Sequence, residues 1–414
     1  MVAVVGTAAS EWRRFWRVPL AGACGYATAV IHTYTLGSFL LPLQQEFGWT
    51  RAFASIGMIV SGMTGATLSV PIGMLIDRLG PRVVGLIGAV LMAMAFALFG
   101  TATGGTLNWI LLWAFFAFAN LWVQATVWVS AVASRFEVSR GLALAVTMSG
   151  GSVGATVFPV FSTAMIEAVG WRMAYPAIAA LWLMLVFPIM FLWFRGAQDA
   201  GLKQRAAARQ MADELPGLTV AEGLRSSAFY KLLLACCLFT LTVVGTVIHF
   251  VPILRDRGAD PLVAASIAGL VGITSIGGRL GTGFLLDRLP ARIVGAVVLT
   301  LPILGWALLL LSGTDRLIQS AAAMILGFSL GAEVDVIAYL MSRHLGLKRA
   351  GVFIGGMVSA LALGSAFGPY AAAAIHDAYA SYAPFLALSI GCAATSGLAV
   401  ATLGRPRFPA RASG

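Results

Sequence analysis

Arg279 lies inside a long apolar segment, where an arginine is energetically expensive. Residues 265–286, ASIAGLVGITSIGGRLGTGFLL, carry no other charged side chain and are long enough to cross a bilayer. A charged side chain in the hydrocarbon core costs ~2.5–3.5 kcal/mol on insertion scales. The guanidinium therefore needs an anion, a paired acid or water, and its planar fork suits a carboxylate. We predict that Arg279 meets a negatively charged solute.

Two acidic side chains are placed to meet this arginine. Glu333 and Asp335 lie 10 and 8 residues before Arg343 in another apolar run, roughly 12–15 Å along a helix. Arg279 lies 8 residues before Asp287, roughly 12 Å, so the three charges share one depth. Residues two apart differ by about 200° around a helix, so both acids cannot line one cavity. Either acid is a candidate partner of Arg279 or a candidate proton carrier; a purely structural ion pair is the alternative.

Other polar side chains inside apolar runs could line the same cavity. These candidates are His32, Tyr34, Asn120, Gln124 and Ser275. On a continuous helix Asn120 and Gln124 share one face, which Trp128 continues. Each amide could instead hydrogen-bond a neighbouring helix, and His32 could be a packing residue. His249 is interpreted as structural.

The composition predicts that these residues sit in a membrane protein. Residues of the AVILMFWYC set make up 59% of the chain and charged residues 10%, whereas soluble domains average about 25% charged residues. The sequence predicts an all-α polytopic membrane protein with twelve transmembrane helices. The apolar runs are 18–43, 54–76, 83–102, 108–131, 141–166, 173–194, 229–254, 262–286, 293–312, 318–340, 351–375 and 382–403.

The basic residues follow a membrane topology, so the net charge of +11 does not indicate a nucleic-acid partner. Of the 27 Lys and Arg residues, 21 fall at the termini and in the even-numbered connections, and five fall in the odd-numbered connections. Arg279 is the remaining one. By the positive-inside rule, we predict a multi-pass protein of the cell membrane with both termini cytoplasmic.

The two halves of the chain repeat with one offset of 210 residues. The matching pairs are Pro42 and Pro252, Asp77 and Asp287, Arg78 and Arg288, Arg82 and Arg292, Gly141 and Gly351, and Pro159 and Pro369. The repeat predicts two pseudo-symmetric six-helix bundles, residues 1–195 and 228–414, joined by a cytoplasmic linker at 196–227. Arg279 aligns with Ser69 and so breaks the symmetry, which favours a role in recognising a solute over a role in the scaffold.

Two motifs resemble the loop signature of the major facilitator superfamily. They are GMLIDRLGPR at 73–82 and its weaker second copy GFLLDRLPAR at 283–292. Three further features resemble the monocarboxylate and oxalate/formate transporter branch: EFGWTRAFAS at 46–55, the arginine of span eight, and GAEVDVIAYLMSRHLG at 331–346. The resemblance implies the major facilitator fold, alternating access to a central site, and carboxylate substrates bound by Arg279.

The chain also departs from this branch. Human-type members have an aspartate one turn before the arginine, where this chain has Ser275, and a lysine in span one, which 18–43 lacks. Oxalate members carry a lysine in span eleven, and 351–375 has none. A single cation inside the membrane suits one carboxylate, so a dicarboxylate is disfavoured.

The repeated loops are predicted to act as gates. Asp77 can face the N-terminus of span eleven near Gly351, and Asp287 that of span five near Gly141, where the helix dipole favours a carboxylate. Such contacts would close the cytoplasmic side. The predicted gating residues are Asp77, Arg78, Arg82, Asp287, Arg288 and Arg292.

No enzyme signature is present in the sequence. It has neither a phosphate-binding loop with its lysine nor a Cys or His spacing typical of a metal site, so we expect no enzyme activity, cofactor or metal. The leading hypothesis is a monomeric secondary transporter of small organic anions, with monocarboxylates in symport with a proton as the expected substrates. The alternatives are efflux of amphipathic or aromatic compounds, anion exchange, and a sensor with a transporter fold.

Overall fold

A computed structural model of the protein describes residues 7–196, 217–346, 348–404 and 408. Most of the predicted linker at 196–227 lies outside these residues. Within them, nine helices are long and apolar enough to cross a membrane. They are Pro81–Thr101, Thr106–Ala133, Arg140–Trp193, Ser227–Ile248, Pro261–Leu286, Ala291–Leu311, Arg316–Leu345, Gly351–Tyr379 and Ala383–Ala401.

The other predicted spans also coincide with helices. One of these spans is divided into two shorter helices, one is a single helix, and two are joined into one long helix. Span one consists of the shorter helices Arg17–Ala29 and Ile31–Phe47, and span two is Arg51–Leu79. Spans five and six run together as Arg140–Trp193, which is broken at Gly170, where φ is 75°. A positive φ is readily accessible only to glycine, so Gly170 marks the connection. All twelve predicted spans therefore coincide with helices.

Several spans are built from two successive helices. Span four divides into Thr106–Leu121 and Ala125–Ala133, and span seven into Ser227–Ile248 and Phe250–Arg255. Span nine divides into Ala291–Thr300 and Pro302–Leu311. Pro302 begins the second helix of span nine. At the first position of a helix the backbone N–H group has no acceptor within the helix, so proline, which lacks this group, loses no hydrogen bond there. Outside the spans, Ala8–Phe15 precedes span one and Val220–Leu224 precedes span seven.

Contacts between residues divide the chain into two compact units. The first unit is Met1–Trp49, Val60–Leu202 and Pro261–Gly272, and the second is Thr50–Ile59, Lys203–Asp260 and Ile273–Gly414. The start of span two thus belongs to the second unit, although it comes from the first half of the sequence. The predicted bundles at 1–195 and 228–414 do not follow these bounds and stay a prediction.

Glycines bring spans eight and ten of the second unit into backbone contact. A Cβ atom on Gly278 would collide with the carbonyl group of Phe328, and one on Gly331 would collide with the carbonyl group of Ser275. Small residues allow this close approach in membrane proteins. The approach fixes the relative depth of the two helices, one of which carries Arg279 while the other carries the acids of span ten.

Candidate functional site

Arg279 and Asp335 form a loose ion pair in the second unit. The Nε atom of Arg279 lies 3.9 Å from Oδ2 of Asp335, and their side chains are 14% and 40% exposed. This distance is too long for a hydrogen bond. The Nε atom is buried and has no hydrogen-bond partner among the described residues. The arginine thus has a charge partner but keeps an unused donor.

The backbone contacts between spans eight and ten position this pair. Arg279 directly follows Gly278, which contacts Phe328, and Asp335 lies four residues after Gly331, which contacts Ser275. Side chains four residues apart lie on the same face of a helix. Asp335 therefore lies one helical turn beyond the Gly331–Ser275 contact, and Arg279 lies next to the Gly278–Phe328 contact. The two contacts together bring the Asp335 and Arg279 side chains close to each other. Ser275 itself is buried, with 4% of its surface exposed.

Glu333 has different neighbours from Asp335. It is 1% exposed, and its Oε1 atom lies 2.8 Å from the hydroxyl of Thr240 and 3.7 Å from the thiol of Cys236. Both neighbours belong to span seven. The same Thr240 hydroxyl lies 2.8 Å from the backbone carbonyl oxygen of Cys236. A hydroxyl has one proton to donate, and this one has two oxygen neighbours that could accept it.

His32 and Tyr34 lie in the first unit. The His32 ring packs against Phe116 and Trp113, with centroids 5.0 and 6.3 Å apart. Its Nδ1 atom is buried and unpartnered within the described part of the chain. Its Nε2 atom lies 3.5 Å from the Thr33 hydroxyl. Tyr34 is half-buried. The aromatic contacts of His32 favour the packing alternative over cavity lining.

The predicted polar face of span four is wrong, because the helix is interrupted there. One helix ends at Leu121 and the next begins at Ala125, so Asn120 and Gln124 do not lie one turn apart on a continuous helix. Gln124 is instead the N-cap residue of the second helix. The Oδ1 atom of Asn120 is buried without a partner among the described residues.

Trp128 does not continue a polar face either. Its side chain is fully buried, and its indole N–H donates to the carbonyl oxygen of Val123 at 2.6 Å. That carbonyl lies in the interruption between the two helices of span four. The tryptophan therefore satisfies a backbone group that the break releases.

The arginines of the predicted gates hold the ends of neighbouring spans. Arg82 donates to the carbonyl oxygens of Phe191 and Phe194 at 2.7 and 2.9 Å. Its repeat, Arg292, donates to the carbonyl oxygen of Leu403 at 3.3 Å. Both arginines donate hydrogen bonds to carbonyl oxygens at or just beyond the C-terminus of a helix, where these oxygens have no partner within the helix. These contacts tie span three to span six and span nine to span twelve.

The other predicted gating residues lie at the loop surface. The Arg288 guanidinium stacks over the Phe284 ring, 3.4 Å from its centroid. Arg78 and Asp287 are exposed. The side chain of Asp77 lies outside the described part of the structure. The gating role of the repeated loops stays a prediction.

An ionic cluster around Arg51 was not predicted from the sequence. Two nitrogen atoms of Arg51 donate to the two carboxylate oxygens of Asp256 at 2.6 and 2.8 Å. Arg51 also donates to the Tyr382 hydroxyl at 3.0 Å. The signal in the sequence was the position of Arg51 and Asp256 at ends of spans on the same predicted side. Their separation of 205 residues gave no reason to pair them.

The fold and these sites can be compared with known proteins. A sequence profile described as Major Facilitator Superfamily matches residues 22–369, which is most of the chain. The chain belongs to the major facilitator superfamily. The protein is therefore a multi-pass membrane transporter of small molecules and not an enzyme. The fold class, the resemblance to this superfamily and the absence of enzyme function, all predicted from the sequence, are confirmed.

The individual matches are more distant. The transporter is 25% identical over 311 residues to monocarboxylate transporter 13 of Bos taurus, covering 74% of this chain and 69% of that protein. It is 22% identical over 327 residues to the uncharacterised transporter YhjX of Escherichia coli, covering 78% of each.

Two solved structures share the fold of the transporter. A mutant of the nucleoside transporter NupG has a TM-score of 0.74 at 13% identity, covering 93% of this chain and 98% of that one. An inward-facing, unoccupied bacterial homologue of the human lysosomal transporter Spinster has a TM-score of 0.69 at 17% identity, covering 95% and 98%. At these identities, the likeness shows the fold alone.

Proposed function

We propose that the protein is a secondary active transporter of small monocarboxylate anions, with Arg279 as the group that binds the carboxylate. The observation that carries this proposal is the buried Nε atom of Arg279, which has no hydrogen-bond partner in the described structure. A buried donor without an acceptor is costly, and more so on a cation. A carboxylate can accept from Nε and from a terminal nitrogen at once. Substrate binding would remove that cost.

Asp335 is then the resting partner of Arg279. Its carboxylate lies 3.9 Å from Nε without a hydrogen bond, so it neutralises the guanidinium while leaving the donors available. A substrate carboxylate competes for the same charge and displaces it. The charge of Arg279 is therefore balanced by Asp335 when the site is empty and by the substrate carboxylate when the site is occupied.

The proton is assigned to Glu333. The Thr240 hydroxyl lies 2.8 Å from both Glu333 and the Cys236 carbonyl oxygen. The carbonyl oxygen can only accept, so the hydroxyl donates to it. A protonated Glu333 then donates to the hydroxyl oxygen, and both contacts are satisfied. An ionised Glu333 would compete with the carbonyl for one proton. We infer that Glu333 is neutral in this conformation.

Coupling to a proton has an energetic reason. Moving one negative charge into a negative-inside cell costs ~2.3 kcal/mol per 100 mV. A proton carried with the anion cancels that charge. Deprotonation of Glu333 when its contact with span seven opens would link proton release to the conformational change. His32 is ranked lower, because its ring is packed among aromatic side chains.

The proposed cycle is alternating access by the predicted bundles 1–195 and 228–414, connected through 196–227. The gating residues at the cytoplasmic side are Asp77, Arg78 and Arg82 with their repeats Asp287, Arg288 and Arg292. The charge asymmetry supports cytoplasmic termini and a location in the cell membrane. The 25% identity to monocarboxylate transporter 13 supports the choice of substrate class.

Counterflow in proteoliposomes tests the function. Lactate, pyruvate, an aromatic monocarboxylate and oxalate are compared side by side, with and without an inward proton gradient. We expect exchange of one or more monocarboxylates, no exchange of oxalate, and accumulation driven by the gradient. Exchange of none of the monocarboxylates would refute the substrate class, and accumulation that ignores the proton gradient would refute symport.

The variant Glu333→Gln separates the proton from the substrate. It should retain counterflow and lose gradient-driven accumulation, because the amide cannot release a proton. Glu167→Gln, at an exposed position, is the matched control and should behave as the wild type. Wild-type accumulation in Glu333→Gln would exclude Glu333 as the proton carrier without affecting the assignment of Arg279.

A further inference from the structure

The short helix Ala8–Phe15 belongs to the first unit and has no part in the proposed transport cycle. Its N-cap residue is Thr7, and Trp16 separates it from span one. The interruption is explained by Pro19, which lacks the N–H group that would bind the carbonyl oxygen of Phe15. The Lys and Arg asymmetry predicts that this helix lies on the cytoplasmic side.

The one acidic side chain of this helix fastens it to the connection between spans four and five. The carboxylate of Glu11 accepts from three consecutive backbone N–H groups, those of residues 137–139, at 2.9 Å each. It also accepts from the Ser139 hydroxyl at 2.8 Å. These hydrogen bonds, above all the one from Val138, lower the pKa of Glu11 to about 2. The contact is therefore ionised throughout the physiological range.

Aromatic side chains fix the orientation of the same helix. The ring centroid of Phe136 lies 5.3 Å from that of Trp12 and 6.2 Å from that of Phe15. The Arg135 guanidinium lies 5.3 Å from the centroid of the Phe15 ring. Glu11, Trp12 and Phe15 are half-buried. This face of the helix is thus turned toward the protein.

The opposite face continues into span one as an exposed stripe. Arg13, Trp16, Arg17 and Leu20 have the spacing i, i+3, i+4 and i+7, and all four are exposed. The stripe begins with a charged side chain and ends with an apolar one as the chain enters the predicted membrane. A phospholipid has the same order of groups, from a charged headgroup to an apolar acyl chain.

Two tryptophan rings hold Arg17 at this surface. Its guanidinium carbon lies 5.5 Å from the ring centroid of Trp16 and 5.7 Å from that of Trp193. The two rings lie 5.6 Å apart. Trp193 is at the end of span six, so this contact joins the ends of spans one and six. A cation–π contact uses the flat face of the guanidinium and leaves its N–H donors available.

Four exposed arginines lie at this junction, and none forms an ion pair within the described part of the chain. We call them the Arg17 surface; its members are Arg13, Arg14, Arg17 and Arg195. Glu11 cannot balance them, because its carboxylate is bound to residues 137–139. Glu137 is exposed and has no ion pair with any described residue. The surface therefore carries an unbalanced positive charge.

Two neighbouring arginines show the contrast, because their donors are already used. Arg135 donates to the carbonyl oxygens of Arg195 and Gly196 at 3.1 and 2.9 Å. Arg140 donates to those of Phe136 and Ala133 at 3.1 and 3.0 Å. These two guanidinium groups add positive charge to the region while they hold the backbone. The donors that remain for a ligand are those of the Arg17 surface.

We propose that the Arg17 surface binds the headgroup of an anionic phospholipid of the cytoplasmic leaflet. The acyl chains lie against Leu20 and Leu192, which are 39% and 62% exposed. Basic clusters on the cytoplasmic side of a membrane protein attract anionic lipids. The fixed helix and the two rings around Arg17 convert this attraction into a defined site. The bound lipid fastens the start of span one to the end of span six, whichever solute the protein carries.

Native mass spectrometry of the purified, detergent-solubilised protein tests the site without any substrate. The protein is titrated with dioleoylphosphatidylglycerol or with dioleoylphosphatidylcholine, which has the same acyl chains and no net charge. We expect the first phosphatidylglycerol to bind about tenfold more tightly than the first phosphatidylcholine. Equal affinities would overturn the proposal, because the acyl chains alone would then account for binding.

The double variant Arg13→Gln with Arg17→Gln should weaken binding of the first phosphatidylglycerol by about tenfold. Binding of phosphatidylcholine should not change. The matched control is Arg225→Gln with Arg316→Gln, which removes the same charge at two exposed positions of the second unit and should keep the wild-type affinity. An equal loss in both double variants would contradict a defined site, since it would show attraction to the net charge alone.

The variant Glu11→Gln distinguishes a positioned site from general attraction, because the two predict opposite effects. It raises the net charge by one, so attraction alone would tighten binding of phosphatidylglycerol. The proposal predicts binding weaker by about threefold, because the charge-assisted hydrogen bonds that position the helix are lost. Trp193→Leu should also weaken binding without changing the charge. Tighter binding in Glu11→Gln, or wild-type binding in Trp193→Leu, would overturn the positioned site.

A competition experiment identifies the source of the phosphate. Glycerol phosphate carries the phosphate of the headgroup without acyl chains, and in large excess it should leave the first phosphatidylglycerol bound. Displacement of the lipid would instead show a site for a soluble phosphate and would overturn the lipid assignment. None of these outcomes bears on Arg279, whose test is substrate exchange.

Discussion

Two arginine–aspartate pairs in the second unit have the same chemistry and opposite geometry. Arg51 meets both oxygens of Asp256 at 2.6 and 2.8 Å. Arg279 approaches Asp335 no closer than 3.9 Å, and its buried Nε atom has no acceptor within the described residues. The first pair uses the planar fork of the guanidinium and the second does not.

The difference separates a contact that holds the protein together from one that can receive a ligand. In the bidentate pair, both carboxylate oxygens of Asp256 and the Tyr382 hydroxyl already accept from Arg51, so a solute would have to displace them. A loose pair balances the charge of the arginine but leaves a buried N–H donor without an acceptor among the described residues. Burial of the first arginine requires full pairing, since its side chain is 5% exposed. The second has a partner whose side chain is 40% exposed, so water or a solute can replace it.

The largest effect is expected from removing the fork of Arg279. Arg279→Lys should weaken substrate binding by roughly tenfold to hundredfold, because hydrogen bonds to charged groups contribute about 1.5–3 kcal/mol and an ammonium group cannot make the bidentate pair. Arg51→Lys should still bind substrate, because it removes the fork of the Arg51–Asp256 pair and leaves Arg279 unchanged. For both variants, counterflow measures substrate exchange and the substrate-induced shift of the melting temperature measures substrate binding. Wild-type exchange in Arg279→Lys and in Arg279→Gln would remove Arg279 from the site.

The second effect tests the backbone contact that positions the loose pair. Gly278→Ala places a Cβ against the Phe328 carbonyl group and should destabilise the protein by about 1–3 kcal/mol through overpacking. It should also lower exchange, because spans eight and ten must move apart. Gly277→Ala is the matched control, since its Cβ meets open space and alanine favours a helix by ~1 kcal/mol. Equal melting temperatures for the two variants would contradict the role of this contact.

The smallest effect is expected from removing the resting partner of Arg279. Asp335→Asn should raise substrate affinity by roughly twofold to fivefold, since a partly exposed ion pair is worth about 0.2–1 kcal/mol and the competing anion is gone. Asp256→Asn should instead lower the melting temperature, because it leaves the buried Arg51 without its fork partner. Titration of the purified variants with substrate gives both quantities. A loss of affinity in Asp335→Asn would mean that Asp335 contacts the substrate directly.

The two acids of span ten make a similar contrast within one helix. Glu333 is 1% exposed and contacts Thr240, whereas the Asp335 side chain is 40% exposed and faces Arg279. The sequence predicts both acids near the depth of Arg279 and does not distinguish their roles. Their spacing of two residues explains why they have different neighbours, but only the packing of spans seven and eight tells which acid meets which partner.

The interruption of span four shows a limit of reading apolar runs. Residues 108–131 are continuously apolar enough to cross a bilayer, yet the helix stops at Leu121 and restarts at Ala125. Neither proline nor glycine lies between these residues. The Trp128 indole donates to Val123 and so supplies a partner that no local pattern predicts. A prediction that relied on a continuous helix, the shared face of Asn120 and Gln124, was therefore wrong.

The sequence by itself determined the fold. A bilayer requires each crossing segment to satisfy its own backbone hydrogen bonds, so long apolar runs become helices, and the repeat with its loop motifs indicated the superfamily. The same rule makes Arg279 conspicuous, because a lone charge in such a run is costly.

The tertiary structure alone decided the partners. Arg51 contacts residues 205, 326 and 331 positions away in the chain, and hydropathy carries no information about such distances. Whether an arginine is saturated or keeps a free donor depends on tenths of an ångström between helices. Those distances are set by which glycines meet which carbonyl groups, and they exist only once the helices have packed.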